Sequence, residues 1–166
     1  MTRVRLAFVA VVAVVLQTSV FTTVRFDGVA PELPILLAAL AGYAAGADRG
    51  AWFGFGIGLL YDVLLPSPLG LAALTCGVVA WMVGVLSEGL MHTSWWTATV
   101  FGASMTALGV GLFAVTGEVF GQSYVSVDLL RIMGFVGLLS LVLAPAGSLL
   151  MRWCYGPQSA ARAATG

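Results

Sequence analysis

Long apolar runs alternate with short polar breaks along this chain. A helix needs roughly twenty apolar residues to cross the hydrocarbon of a bilayer, and six runs come close to that length. The runs predict six transmembrane helices, over residues 6–22, 29–47, 50–65, 70–90, 96–117 and 129–153. Most charged residues fall in the breaks between them, as expected when the apolar runs lie in lipid.

The second and third runs are short, and Pro34 lies near the start of the second. Proline is tolerated in a first helical turn, where its missing N–H would have no partner. A re-entrant hairpin in place of two full spans is the alternative at this point. We predict six full spans and an all-α bundle.

The first run follows Arg3 and Arg5 and imitates a secretory signal. The residues after it, 17–21, offer no small-x-small cleavage site. We therefore predict that the segment is an uncleaved first transmembrane helix.

The arginines orient the bundle, because cytoplasmic loops are enriched in positive charge. An even number of spans places both termini on one side, and the cytoplasmic side then holds five arginines: Arg3, Arg5, Arg49, Arg152 and Arg162. Arg25 and Arg131 fall outside. We predict a multi-pass protein of the cytoplasmic membrane with both termini inside, with one transmembrane domain over 1–156 and a flexible cytoplasmic tail over 157–166.

Composition supports lipid as the solvent and excludes several functions. Apolar residues make up 60% of the chain, charged residues 8%, and the mean hydropathy is +1.04. The seven arginines balance the seven acids and there is no lysine, so the chain offers no basic patch for nucleic acid and no Walker loop. His92, Cys76 and Cys154 have no carboxylate at metal-ligand spacing. We predict no enzyme, no cofactor and no metal.

Small residues recur at every fourth position from Ala38 onwards, and we call five of them the glycine ladder: Gly42, Gly46, Gly50, Gly54 and Gly58. This spacing places them on one helix face and lets two backbones approach closely. A turn at Asp48-Arg49 folds the series into a tight helical hairpin. The ladder serves either internal packing or the docking of a partner protein, in which case leucine at Gly54 or Gly58 would weaken assembly.

Asp62 lies near the outer end of the third run, among apolar neighbours. A carboxylate in such surroundings is costly unless it is neutral, solvated or paired. Arg131 is the predicted partner and Arg25 the other candidate; a proton or substrate site is the functional alternative. Pro68 and Gly70 follow as a turn motif that stops one helix and starts the next.

At these residues the chain resembles the bacterial rod shape-determining protein family MreD. The matching features are the opening of the second span at 31–33, the rungs Gly46, Gly50 and Gly54, the segment 58–64 around Asp62, and the turn at 68–71. Members of that family commonly have aspartate where this chain has Glu32. The distinctive motif covers about a quarter of the chain, while the size and the number of spans fit throughout.

The resemblance implies a non-enzymatic membrane scaffold in the machinery for cell elongation and peptidoglycan synthesis. Its implied partners are an MreC-like bitopic membrane protein and, directly or through it, peptidoglycan synthases. The family's fold is similar to that of the six-helix substrate-binding subunits of energy-coupling-factor transporters. A vitamin-binding transport subunit is therefore the alternative function, with Tyr61, Asp62, Gln122, Tyr124 and Arg131 as candidate pocket residues. An intramembrane enzyme is the third class, but His92 alone cannot supply its chemistry.

Overall fold

Six α-helices and no strands make up the part of the chain that the computed structural model describes, namely residues 2–19, 32–64, 70–88, 95–119 and 129–155. The helices are α1 (Thr2–Ser19), α2 (Leu33–Ala45), α3 (Ala47–Asp62), α4 (Leu71–Glu88), α5 (Trp95–Val119) and α6 (Leu129–Tyr155). The predicted all-α fold with six helices is confirmed. The tail predicted over 157–166 lies outside the described residues.

One helix of the described part, Ile132–Tyr155, is long and apolar enough to cross a membrane by itself. Shorter apolar helices lie at Val4–Ser19, Leu33–Ala45, Leu71–Ser87 and Gly102–Thr116. At 1.5 Å per residue, α2 and α3 are only about 20 and 24 Å long, against a hydrocarbon thickness of about 30 Å. The six membrane crossings and the cytoplasmic location of both termini therefore stay predictions.

Helix α2 lies at the centre of the bundle and contacts each of the other five helices. All of its residues from Pro34 to Gly42 are buried. A helix that is apolar on every side is suited to such a place, because no part of its surface needs water.

The buried faces of α1 and α3 are rich in small side chains, and several of their large apolar side chains are exposed. In α1, Ala10 and Ala13 are buried while Phe8 is 65% exposed. In α3, Gly50 and Gly54 are buried while Trp52 is 78% exposed. This arrangement would be unfavourable in water, where large apolar patches attract partners or aggregate, but lipid tails solvate such a surface.

The glycine ladder lies inside the bundle, against the backbones of neighbouring helices. A methyl group at Gly54 would lie 2.5 Å from the carbonyl oxygen of Cys76 in α4, and one at Gly58 would lie 2.6 Å from the Cα of Ala73. At Gly42 it would lie 2.9 Å from the carbonyl carbon of Ala80. Gly50 faces Gly42 across the α2–α3 hairpin. The ladder thus brings α3 into backbone contact with both α2 and α4.

The turn between α2 and α3 lies at Gly46, the remaining rung. The predicted turn at Asp48-Arg49 is wrong, because both residues lie in the first turn of α3. The φ of Gly46, 86°, lies in the left-handed region, which favours glycine. Its N–H donates to the carbonyl oxygen of Gly42, and its own carbonyl accepts from Gly50. Gly46 therefore ends one helix and begins the next without an intervening loop.

Helix α4 contributes its own small residues to the contact, at Cys76, Ala80 and Gly84. Gly84 meets the backbone of Ala47 at the start of α3, and Cys76 is fully buried. Neither Ala80 nor Gly84 was singled out from the sequence. Their four-residue spacing is the same signal that identified the ladder in α2 and α3.

We predict that Gly54→Ala destabilises the protein by roughly 1–3 kcal/mol, because the added methyl overpacks against the backbone of α4. Gly56→Ala is the matched control, since nothing lies within 4 Å of a methyl group at that position. Alanine is the better helix former, so the control is expected to be neutral or slightly stabilising. The measurement is the thermal unfolding midpoint in detergent, followed by tryptophan fluorescence. Equal midpoints for the two variants would contradict the described packing.

Candidate functional site

The carboxylate of Asp62 binds the first amides of α4. Its Oδ1 accepts a hydrogen bond from the N–H of Ala72 at 3.0 Å. Its Oδ2 accepts from the N–H of Gly70 at 2.9 Å and from that of Ala73 at 3.0 Å. The first amides of a helix have no partner within the helix, so Asp62 satisfies three such donors from the end of another helix.

Asp62 is only 1% exposed, so its charge lies in an apolar region of the bundle. Amide donors and the positive end of a helix dipole stabilise a carboxylate there. The described structure therefore supplies a backbone partner that the sequence analysis did not anticipate. Arg131 lies in the first turn of α6, but its side chain and all of Arg25 lie outside the described residues, so the predicted ion pair stays a prediction.

Gly70 turns the chain so that the amides at the start of α4 reach Asp62. Its φ of 102° turns the chain into α4, and its carbonyl oxygen accepts the hydrogen bond from Leu74 that opens the helix. A side chain at this φ would be strained. Pro68 lies outside the described residues, so the structure gives a physical role only to the glycine of the predicted turn motif.

Gln17 makes a second contact between a side chain and a helix start. It is buried in α1, and its Oε1 accepts a hydrogen bond from the N–H of Leu33, the first residue of α2, at 3.0 Å. Its amide also lies close to the Tyr61 hydroxyl. No role for Gln17 was predicted from the sequence. An amide side chain near the end of an apolar run was the feature that could have indicated a polar contact there.

A small cavity of about 60 Å³ lies at this end of the bundle, where α2 and α4 begin and α3 ends. Its polar lining comes from Glu32 and Tyr61, together with the thiol of Cys76. The apolar lining consists of Ile35, Ala72, Val110 and Phe113. Of the predicted pocket residues Tyr61 and Asp62, Tyr61 lines the cavity, whereas Asp62, at the end of α3, binds the start of α4. The other candidates, Gln122, Tyr124 and the Arg131 side chain, are outside the described residues.

At the opposite end of the bundle, α1 and α6 contact each other through Arg5. Its guanidinium lies 4.5 Å from the centre of the Trp153 ring and donates to the Trp153 carbonyl oxygen at 3.3 Å. Cation–π contacts of this kind are worth about 0.5–1 kcal/mol at exposed sites. The start of α1 and the end of α6 therefore lie at the same end of the bundle.

Within the described residues, no three His, Cys, Asp or Glu side chains come together in a way that could hold a metal ion. His92 lies outside those residues. Both cysteines are free and buried. The structure does assemble three polar features at one end of the bundle. Asp62 binds the start of α4, Glu32 borders the cavity, and the Gln17 amide connects α1 to the start of α2.

We predict that Asp62→Ala lowers the free energy of unfolding by about 2–4 kcal/mol, because it leaves buried amides of α4 without an acceptor. Asp62→Asn should cost less, since its one remaining carbonyl oxygen still accepts a hydrogen bond. Asp48→Asn is the control, because Asp48 is an exposed acid in the first turn of the same helix. Thermal unfolding and the amount of protein in the membrane are the measurements. If Asp62→Ala were as stable as the control, the amide contacts would not matter for folding.

Comparison with known proteins identifies a family for the chain. The family model described as rod shape-determining protein MreD matches residues 2–153, which is nearly the whole chain. No curated protein and no solved structure matches the chain, so the likeness to energy-coupling-factor subunits that the resemblance implied has no support. Proteins of this family are membrane components that determine the rod shape of bacteria. The match confirms the resemblance seen in the sequence. The chain belongs to the MreD family.

Proposed function

We propose that this protein is a non-enzymatic membrane scaffold of the cell-elongation machinery, which binds an MreC-like bitopic partner and, directly or through it, peptidoglycan synthases. The family match over residues 2–153 carries the proposal. The role in rod shape determination follows from the family. The scaffold role and the partners are the steps that we add.

The described structure favours a partner surface on the outside of the α2–α3 hairpin. The glycines of the ladder already contact the backbones of neighbouring helices inside the bundle, which supports a role in internal packing. The opposite side of α3 presents Trp52, Phe55 and Leu59. Gly56 lies among them with open space around it, which leaves a gap that a side chain of a partner helix can enter. We call Trp52, Phe55, Gly56 and Leu59 the α3 outer face.

The cavity argues against the alternative of a vitamin-binding transport subunit. Pockets for ligands of that size measure about 300–1,000 Å³. The cavity beside Glu32 measures about 60 Å³. As bounded by the described residues, it has room for a small group but not for a vitamin.

Capture from native membranes tests the proposed function. The C-terminally tagged protein is solubilised in mild detergent, and co-purifying proteins are identified by mass spectrometry. Recovery of a bitopic MreC-like protein together with peptidoglycan synthases is the expected result. Recovery of a membrane-embedded coupling subunit with two ATPases would overturn the scaffold and revive the transport alternative.

We predict that Gly56→Leu lowers capture of the bitopic partner by about tenfold, equivalent to ~1.4 kcal/mol, because leucine fills the gap in the α3 outer face. Gly134→Leu on α6 is the matched control, since nothing lies within 4 Å of a methyl group at Gly134 either. Both variants should fold, unlike the leucine substitutions at Gly54 or Gly58, which would test packing rather than binding. Equal capture by both variants would place the partner elsewhere.

A further inference from the structure

We propose that the cavity beside Glu32 binds the primary ammonium group of a lipid headgroup, as in phosphatidylethanolamine. This inference goes beyond the scaffold function, since it concerns the chain alone in its membrane. It depends on the lining of the cavity, the position of Glu32 and the size of the space.

The lining calls for a cation. Among the described residues that line the cavity, Glu32 is the carboxyl and none is basic. Although Glu32 occupies the N-cap position of α2, its side chain makes no capping hydrogen bond. Removing a carboxylate from water is costly unless a cation or hydrogen-bond donors replace the water. A positively charged ligand would supply both.

Asp62 does not compete for that ligand. Its two oxygens already accept three amide hydrogen bonds from the start of α4. Two carboxyl groups therefore lie near the same end of the bundle, but among the described contacts only Asp62 is satisfied by the backbone. Its charge still adds to the negative potential at the cavity.

The size and the remaining walls favour a primary ammonium. A buried water needs about 10–15 Å³ of such space, so 60 Å³ holds roughly four waters or the terminal carbon and nitrogen of an ethanolamine group. An ammonium has three N–H donors, so it can pair with Glu32 and still donate to a second acceptor. The rings of Tyr61 and Phe113 also line the space, and aromatic faces attract cations.

The position suits a lipid headgroup. The cavity lies where α2 and α4 begin and α3 ends, that is, at one end of the bundle. Near it, Leu59 of α3, Val63 just after α3 and Leu74 of α4 present exposed apolar surface along which acyl chains can lie. A lipid is thus able to place its headgroup at the cavity and its chains on the outside of α3 and α4.

Lipid retention by the purified full chain tests the proposal. The protein is reconstituted in vesicles of equal parts phosphatidylethanolamine and phosphatidylglycerol and extracted in mild detergent, and the retained lipids are counted by native mass spectrometry. We expect about tenfold enrichment of phosphatidylethanolamine, equivalent to ~1.4 kcal/mol. Glu32→Gln should abolish the enrichment, Glu32→Asp should keep part of it, and Asp48→Asn, an exposed acid, should not change it.

Two further arms define the ligand. Phosphatidylcholine in place of phosphatidylethanolamine should be retained less, because its ammonium has no N–H to donate. Free ethanolamine in excess should displace little lipid if the acyl chains contribute, whereas full displacement would identify the free amine as the ligand. These arms use the wild-type protein, so they hold even if the Glu32 variants fail to fold.

Equal retention of the two lipids by the wild-type protein would overturn the proposal. Arg25 and Arg131 would then be the first residues to examine as partners of Glu32. Unchanged enrichment in folded Glu32→Gln would equally overturn it. Since no partner is present, neither result bears on the proposed scaffold function.

Discussion

In the centre of this bundle, α3 lies so close to α2 and α4 that no side chain fits between the backbones at Gly50, Gly54 and Gly58. Lipid tails are as apolar as leucine, so burying large side chains would give these helices little reason to associate. Close van der Waals contact between backbones supplies the attraction instead. On α3 this contact places the glycines on the inner face and leaves Trp52 and Phe55 exposed, while the central helix α2 buries its leucines as well.

The same close approach places a helix start in apolar surroundings, where its amides need acceptors. An unpaired amide is costly there, since no water is available to replace the missing bond. Asp62 meets this need for α4, and Gln17 meets it for the first amide of α2. Asp62 and the positive φ of Gly70 therefore act as one unit: the glycine turns the chain, and the carboxylate holds the helix that begins there.

The helices could be predicted from the sequence because the length of an apolar run and the charges that bound it are local properties. Four of the six predicted helix starts lie within three residues of those in the structure. The sequence also predicted a small-residue face, but periodicity identifies a face and not the helix that covers it. Hence the contact with Ala80 and Gly84 of α4 was missed. For Asp62, the sequence indicated a need for a partner and suggested arginine. The backbone amides of Gly70, Ala72 and Ala73 could not be anticipated, because their approach depends on how an eight-residue connection folds.

The two carboxyl groups at one end of the bundle, those of Asp62 and Glu32, differ in their surroundings and therefore in what they can do. Asp62 is surrounded by donors of its own chain, so its charge is already used in holding α4. Glu32 borders a cavity and makes no capping bond, so it is the carboxyl that we propose for a ligand. Residue type and hydropathy do not distinguish the two acids. The difference lies in which of them has helix amides within reach, and it directs the search for a ligand to Glu32.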